Sequence, residues 1–357
     1  MLVFRQAVAQ RKKRAHERGC MMEHMTKRNM TIHDVARELG VSPSTVSRAI
    51  SGKGRIGSST REKILSFIQE NDYHPSAAAQ SLAQSKTYNI ALVLPEIKTL
   101  AEMPFFQTCM YAVGEMAQLN NYDMIVVNGN GTDTTSLERL IMNKKVDGVI
   151  LSRTYRKDVY SKLLAEKGLP FVTIGQLEDG QGIQIDHDHR EACRELTSIL
   201  LAKGNSRIAY LGASMEHMVN RIRYEGYVAA IKEVKGEVDQ SLIYRNLDTR
   251  KQIELAVETI LSRDTVDCIL CQDDVICDVV VHKLAEKKIK IPGKMHVASC
   301  HYSRLLENYP VGITSLKFDV EDLGKNACKM LLNMIDGSAV PSRMLLDYEV
   351  RLKESTK

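Results

Sequence analysis

The chain contains no tryptophan, and its 357 residues include only 6 phenylalanines and 13 tyrosines. No platform of clustered aromatics, on which the bases of a single strand could stack, is evident. No apolar run approaches the ~20 residues needed to cross a bilayer. No apolar core follows the basic residues at the start, as it would in a secretory signal. The eight cysteines are scattered without a framework of paired spacings, so reduced thiols in a cytoplasm are expected. Cys268-Ile-Leu-Cys271 has the spacing of a metal or redox pair, but it lies in an apolar run that reads as a buried strand. Residues three apart in a strand point to opposite faces, which makes these two small core fillers. A P-loop, a GxGxxG after a strand, a GxSxG and a metal-spaced His/Cys/Asp set are also absent from the pattern. No metal or cofactor is therefore expected, and an enzyme is disfavoured.

The charge that is present is unevenly distributed. Residues 1–88 hold 15 lysines and arginines against 7 acids, an excess of +8, while the remainder carries −3. A basic head on a mildly acidic body suits a polyanion-binding module attached to something else. Residues 1–29 contain the run RKKR at 11–14, and five methionines fall within the first 30 residues. This extension reads as a disordered basic arm or, preferably, as the product of a start placed upstream of Met25 or Met30.

The most informative stretch is Thr31–Arg48, TIHDVARELGVSPSTVSR. Thr31 and Asp34 make a capping-box-like start, and Ile32, Val35, Ala36 and Leu39 recur at helical spacing. Gly40 stands where a helix stops, and Ser42 followed by Pro43 starts the next. The second helix turns Val46 and Ile50 inward and leaves Ser44, Thr45, Ser47 and Arg48 outward. Two short helices joined by a glycine-containing turn form the unit that lays its second helix in the DNA major groove. Small hydroxyls approach phosphates closely, and an arginine can bond a guanine edge with two donors. An ordinary helical hairpin with a solvated face has the same spacing. Beyond it, Lys53 and Arg55 lie in a glycine loop suited to phosphates. Ser59-Thr-Arg-Glu62 reads as a capping box opening a third helix to about Asn71, with Ile64, Leu65 and Ile68 closing a core.

The residues DVARELGVSPSTVSRAISG closely resemble the N-terminal signature of the LacI/GalR family of bacterial transcription regulators, and the resemblance runs from about Thr31 to Arg351. It implies that Thr31, Ser42, Ser44, Thr45, Ser47, Arg48, Lys53 and Arg55 face DNA. Within Tyr73–Gln84, Pro75 ends what precedes, Ser76 can cap, and Ala77–Ala83 has high helix propensity but is too short to stand alone in water. In the family the matching segment is a hinge helix that folds on the operator. Ser76, Ala79 and Leu82 are thus its expected DNA contacts, with Leu82 as the minor-groove wedge.

From Asn89 onward, apolar runs alternate with amphipathic stretches. The runs are Ile90–Leu94, Met124–Val127, Val149–Leu151, Phe171–Ile174, Ile208–Leu211, Cys268–Cys271 and Val297–Cys300. Such alternation implies parallel sheets with helices on both faces and ligands beyond the C-terminal strand ends. The expected fold is an α/β, two-lobed, periplasmic-binding-protein-like effector domain over 89–357. A small all-α helix-turn-helix domain over 30–74 precedes it, with a hinge and linker over 75–88. Arg221-Ile-Arg223-Tyr-Glu-Gly226-Tyr227 resembles the family's RxRxxGF segment, which makes Arg223 the expected effector contact. By the same resemblance Phe105 and Phe106 line the cleft, and Asp273 stands where the family usually has an amide. Two departures occur: Gly175 follows Ile174 where an Asp is common, and His301 occupies the place of another Asp. His301 is either an effector contact or a satisfied core residue.

These features imply a homodimeric regulator, expected to be a repressor, that binds a pseudo-palindromic double-stranded operator. It would be switched by a small polar effector, a carbohydrate or derivative. The alternative is a two-lobed solute-binding or enzymatic protein with no DNA role.

Overall fold

The computed structural model describes residues 30–52, 54–71, 86–96, 104–263 and 265–357. The chain divides into two units, residues 1–87 and 88–357. The extension 1–29 and most of the segment 75–88 lie outside the described residues.

The first unit holds α1 (Ile32–Leu39), α2 (Pro43–Ser51) and α3 (Ser58–Glu70). Thr31 and Asp34 form the reciprocal capping box, and Ser42 caps α2 through the Thr45 amide at 3.2 Å. Val35, Ala36, Val46, Ala49 and Ile64 make the small core, with Ile50 and Ile68 packed against it. Two expectations fail here. The third helix starts two residues early with Gly57 rather than Ser59 as its cap, so Ser59 lies inside it and the Ser59–Glu62 box does not form. Leu65 faces outward at 42% exposure, because Ile64 and Ile68 already fill the inward stripe.

The second unit has two six-stranded sheets. Its strands and helices in chain order are β1 (Asn89–Pro95), α4 (Pro104–Leu119), β2 (Asp123–Gly129), α5 (Thr135–Met142), β3 (Gly148–Leu151), α6 (Val159–Lys167), β4 (Phe171–Ile174) and β5 (Ile183–His187). Then come α7 (His189–Ala202), β6 (Ile208–Leu211), α8 (Met218–Lys235), β7 (Ile243–Tyr244), α9 (Arg250–Arg263), β8 (Cys268–Cys271), α10 (Asp274–Glu286) and β9 (His296–Ser299). The chain ends with β10 (Thr314–Phe318), α11 (Val320–Ile335), β11 (Arg343–Leu346) and β12 (Tyr348–Arg351).

The first lobe's sheet runs β11-β5-β4-β3-β1-β2, and every pair is parallel. The second runs β12-β10-β9-β8-β6-β7 and is parallel except for β12. Strands such as β3 and β8 are buried throughout, as parallel strands covered on both faces must be. Cys271 joins the core on one face of β8 and Cys268 the core on the other, as the strand geometry requires. Cys300 lies just past the end of β9 rather than in it.

The chain passes between the lobes three times: from β5 into α7, from β10 into α11, and from β11 into β12. Helix α7 packs on α8 in the second lobe, and α11 packs on α4 in the first. The lobes also meet along one flank, where Arg156 N donates to Glu216 O at 2.8 Å and Met218 N to Thr154 O at 3.1 Å. Among the described residues no helix is long and apolar enough to cross a membrane.

Candidate functional site

In the first unit, Ser44 and Arg48 of α2 are exposed, and Thr45 and Ser47 are half-buried. Ser42, Ser44 and Thr45 form a hydroxyl cluster at its N-terminus, with both Ser42 bonds at 2.8 Å. Thr31 is committed to its cap, donating to Asp34 at 2.6 Å, and Arg55 is exposed. The Arg48 stem lies along the loop, since a Cβ on Gly54 would come within 3.3 Å of its Cδ. An exposed guanidinium and small hydroxyls on one capped helix can meet a phosphate backbone and a base edge together. Lys53, Ser76, Ala79 and Leu82 fall outside the described residues.

In the second unit a cavity of about 760 Å³, its open mouth included, lies between the lobes. Its walls follow the C-terminal ends of parallel strands: Ser152, Arg153 and Thr154 after β3, Gly175 after β4, Asp186 in β5, Asp273 after β8 and His301 after β9. Phe105, Phe106, Arg223, Asp273 and His301, all expected from the sequence, line this one cavity. Phe106 belongs to the first lobe's core as well, and the Arg153 guanidinium sits 4.7 Å from its ring centroid.

Arg223 is buried on α8 and donates to Gln272 O at 3.1 Å, while its Nε has no partner among the described residues. The RxRxxG pattern has a packing cause. A Cβ on Gly226 would collide with the Arg190 carbonyl of α7, so only glycine lets the two helices approach and sets Arg223, one turn earlier, into the cleft.

Asp273 caps α10, accepting from the Ile276 amide at 2.8 Å. Burial, then the neighbouring Asp274, pushes its carboxyl above the usual carboxylate range. Asp274 is fully engaged, with His301 Nδ1 at 3.0 Å and the Ser303 hydroxyl on its other oxygen. Burial raises its carboxyl less than His301 and these bonds lower it, and the net shift is downward. His301 is thus half satisfied: Nδ1 is held by Asp274, and Nε2 is buried without a partner among the described residues. Gly175 adopts φ +112°, and a Cβ there would lie 2.7 Å from Thr154 Oγ1. The hydroxyl of Thr154 thus occupies the space next to the position where an aspartate is common.

Sequence reasoning missed Arg153, Asp186, His189 and Asn220, which also line the cavity. Val219, Asn220 and Arg223 share a face of α8 at helical spacing, and Arg153 follows a strand end. Those two signals could have found Asn220 and Arg153, whereas Asp186 and His189 lie in and just after β5, a strand absent from the apolar runs read in the sequence.

Residues 31–76 match the family model described as bacterial regulatory proteins, lacI family. Residues 87–355 match that of the periplasmic binding proteins and sugar binding domain of the LacI family. The chain is 30% identical over 268 residues to the HTH-type transcriptional regulator MalR of Streptococcus pneumoniae, covering 74% of this chain and 82% of that one. It is 26% identical over 335 residues to catabolite control protein A of Priestia megaterium, covering 92% of this chain and 100% of that one. Among solved structures, a transcriptional regulator CelR–cellobiose complex superposes with a TM-score of 0.69 at 26% identity, over 91% of this chain and 99% of that one.

Proposed function

The chain belongs to the LacI family of DNA-binding transcriptional regulators, which are not enzymes, and from that premise we propose that it is a carbohydrate-responsive repressor. It acts in the cytoplasm as a homodimer on a pseudo-palindromic operator, because one helix-turn-helix reads few base pairs and a two-fold axis pairs two of them. Residues 30–74 read the major groove, 75–88 serve as the hinge, and 89–357 bind the effector and dimerise.

The observation that carries the effector reading is the cleft's mixture of groups. Arg223 Nε has no hydrogen-bond partner among the described residues, Asn220 and Asp273 add polar groups, and Phe105 and Phe106 supply an apolar wall. Sugars need this combination, since each hydroxyl both donates and accepts and each ring has an apolar face. The CelR–cellobiose relative supports the same ligand class.

The test is anisotropy titration of the full chain against a duplex selected from a random pool and against an unselected one. Cellobiose, maltose and their phosphorylated forms are then added in turn. The expected result is a two-fold symmetric selected site, bound at least 100-fold more tightly than the unselected duplex and released by one sugar. Equal affinity for both duplexes would overturn the operator reading, and release by none of the sugars the effector class.

A further inference from the structure

We propose that Asp186, His187 and His189 form a binding site for a divalent transition-metal ion of the zinc class, at the first crossing between the lobes. Neither the family match nor the regulator reading calls for it. Strand β5 ends in Asp186-His187, Asp188 caps the next helix by accepting from the Glu191 amide at 3.1 Å, and His189 opens α7. The strand-to-helix turn brings one ligand atom from each of the three residues to within 4.8 Å of the others. Ligands on an ion with bonds of about 2 Å stand roughly 3.3 Å apart in a tetrahedron, so modest side-chain rotation closes the set.

All three residues are buried, His187 completely. Both ring nitrogens of His187, Nδ1 of His189 and Oδ2 of Asp186 have no hydrogen-bond partner among the described residues. Buried polar atoms are rarely left so, and four in one cluster point to a missing occupant. Asp186 Oδ1 accepts from the His187 amide at 2.9 Å and lies 3.3 Å from His189 Nε2, which fixes the carboxylate and leaves Oδ2 free. Phe318, from the second crossing, covers the histidines, with ring centroids 4.9 Å from His187 and 4.4 Å from His189.

Two imidazoles and one carboxylate suit zinc, cobalt, nickel or ferrous iron rather than magnesium or calcium. Asp186 and His189 also line the cleft, so the remaining coordination position opens toward it.

The test uses the full chain freed of metal with a chelator. Cobalt(II) is titrated and followed by its visible absorption, and zinc affinity is measured by competition with a chromophoric chelator. One equivalent of cobalt per chain is expected, displaced by equimolar zinc and indifferent to excess magnesium. His187→Asn and His189→Asn are each expected to weaken zinc binding at least 100-fold, while His282→Asn, on the exposed face of α10, leaves it unchanged. If either His187→Asn or His189→Asn fails to fold, X-ray absorption of the zinc-loaded native chain decides. Two imidazole nitrogens with oxygen support the site, and sulfur ligation overturns it. Absence of a saturable site, or unchanged affinity in folded His187→Asn, likewise overturns it.

Discussion

Arg223 is fixed at one terminal nitrogen by Gln272 O and lies 6.0 Å above the Phe318 ring, and its Nε has no partner among the described residues. Arg223→Ala is expected to keep operator binding without ligand and to weaken effector binding by roughly 1.5–3 kcal/mol, the range for a hydrogen bond involving a charged group. Effector titrations of the DNA complex check this, and an unchanged response would return Arg223 to a purely structural role. Asp273 is a case of opposite sign to most carboxylates. Its folded-state pKa is raised, so ionisation disfavours the folded form, and stability is lost as pH climbs from the usual 3.8 toward the raised value. Asp273→Asn keeps a capping side chain and removes the charge. Its thermal midpoint should exceed that of the parent at pH 7, and the difference should vanish below pH 3.8. Gly226→Ala forces a methyl against the α7 backbone. A loss of roughly 1–3 kcal/mol in denaturant unfolding is expected, as for other overpacked contacts.

At the scale of the element, α2 is held at both ends by its own sequence. Ser42 and Pro43 start it, and the Gly52 amide closes it on Arg48 O. That rigidity presents Arg48 at a defined angle, so Arg48→Ala should cost about 1–3 kcal/mol on the selected operator and little on unselected duplex. Equal losses on both, in the same anisotropy assay, would make Arg48 a phosphate contact. The proposed hinge is the opposite kind of element. Its sequence favours helix over a length too short for one to form unaided, and the proposal is that it folds on DNA. Leu82→Gly is expected to lower operator affinity and DNA bending together in a circular-permutation gel assay. Unchanged bending would make Leu82 part of a plain linker.

At the scale of the whole molecule, three crossings and one flank of main-chain bonds govern how the lobes can move. Arg156 and Met218 amides tie the lobes on one side, so a ligand gripping Arg223 in one lobe and Arg153 in the other would act on their relative setting. An effector shifts DNA affinity only through its preference between two arrangements, typically ~1–3 kcal/mol, and the coupling is reciprocal. Calorimetric titration of the effector with and without operator should therefore show the same factor that the effector imposes on DNA binding. Unequal factors would mean that effector and operator do not act on the same two states.

Much of the local structure was legible from residues alone. The capping box at Thr31, the Ser42–Pro43 start, the Gly40 stop and the alternating apolar runs depend on chain neighbours, whose spacing is written in the sequence. The family's motif carried Arg223, Phe105 and Phe106 to the cleft for the same reason. The third helix's start was misread because Ser-Thr-Arg-Glu fits a cap equally well one residue inside a helix. Edge strand β2 leaves Val126 exposed, which an apolar run does not reveal. What only the tertiary structure decided is which strand ends become neighbours. Arg153, Asp186, Asp273 and His301 lie far apart in the chain, and parallel pairing set by crossover helices places their strand ends side by side. The Asp186–His187–His189 cluster is local in sequence, but its burial is not. It is sealed by Phe318 from another crossing, and long-range packing of that kind leaves no periodic mark in the residues it brings together.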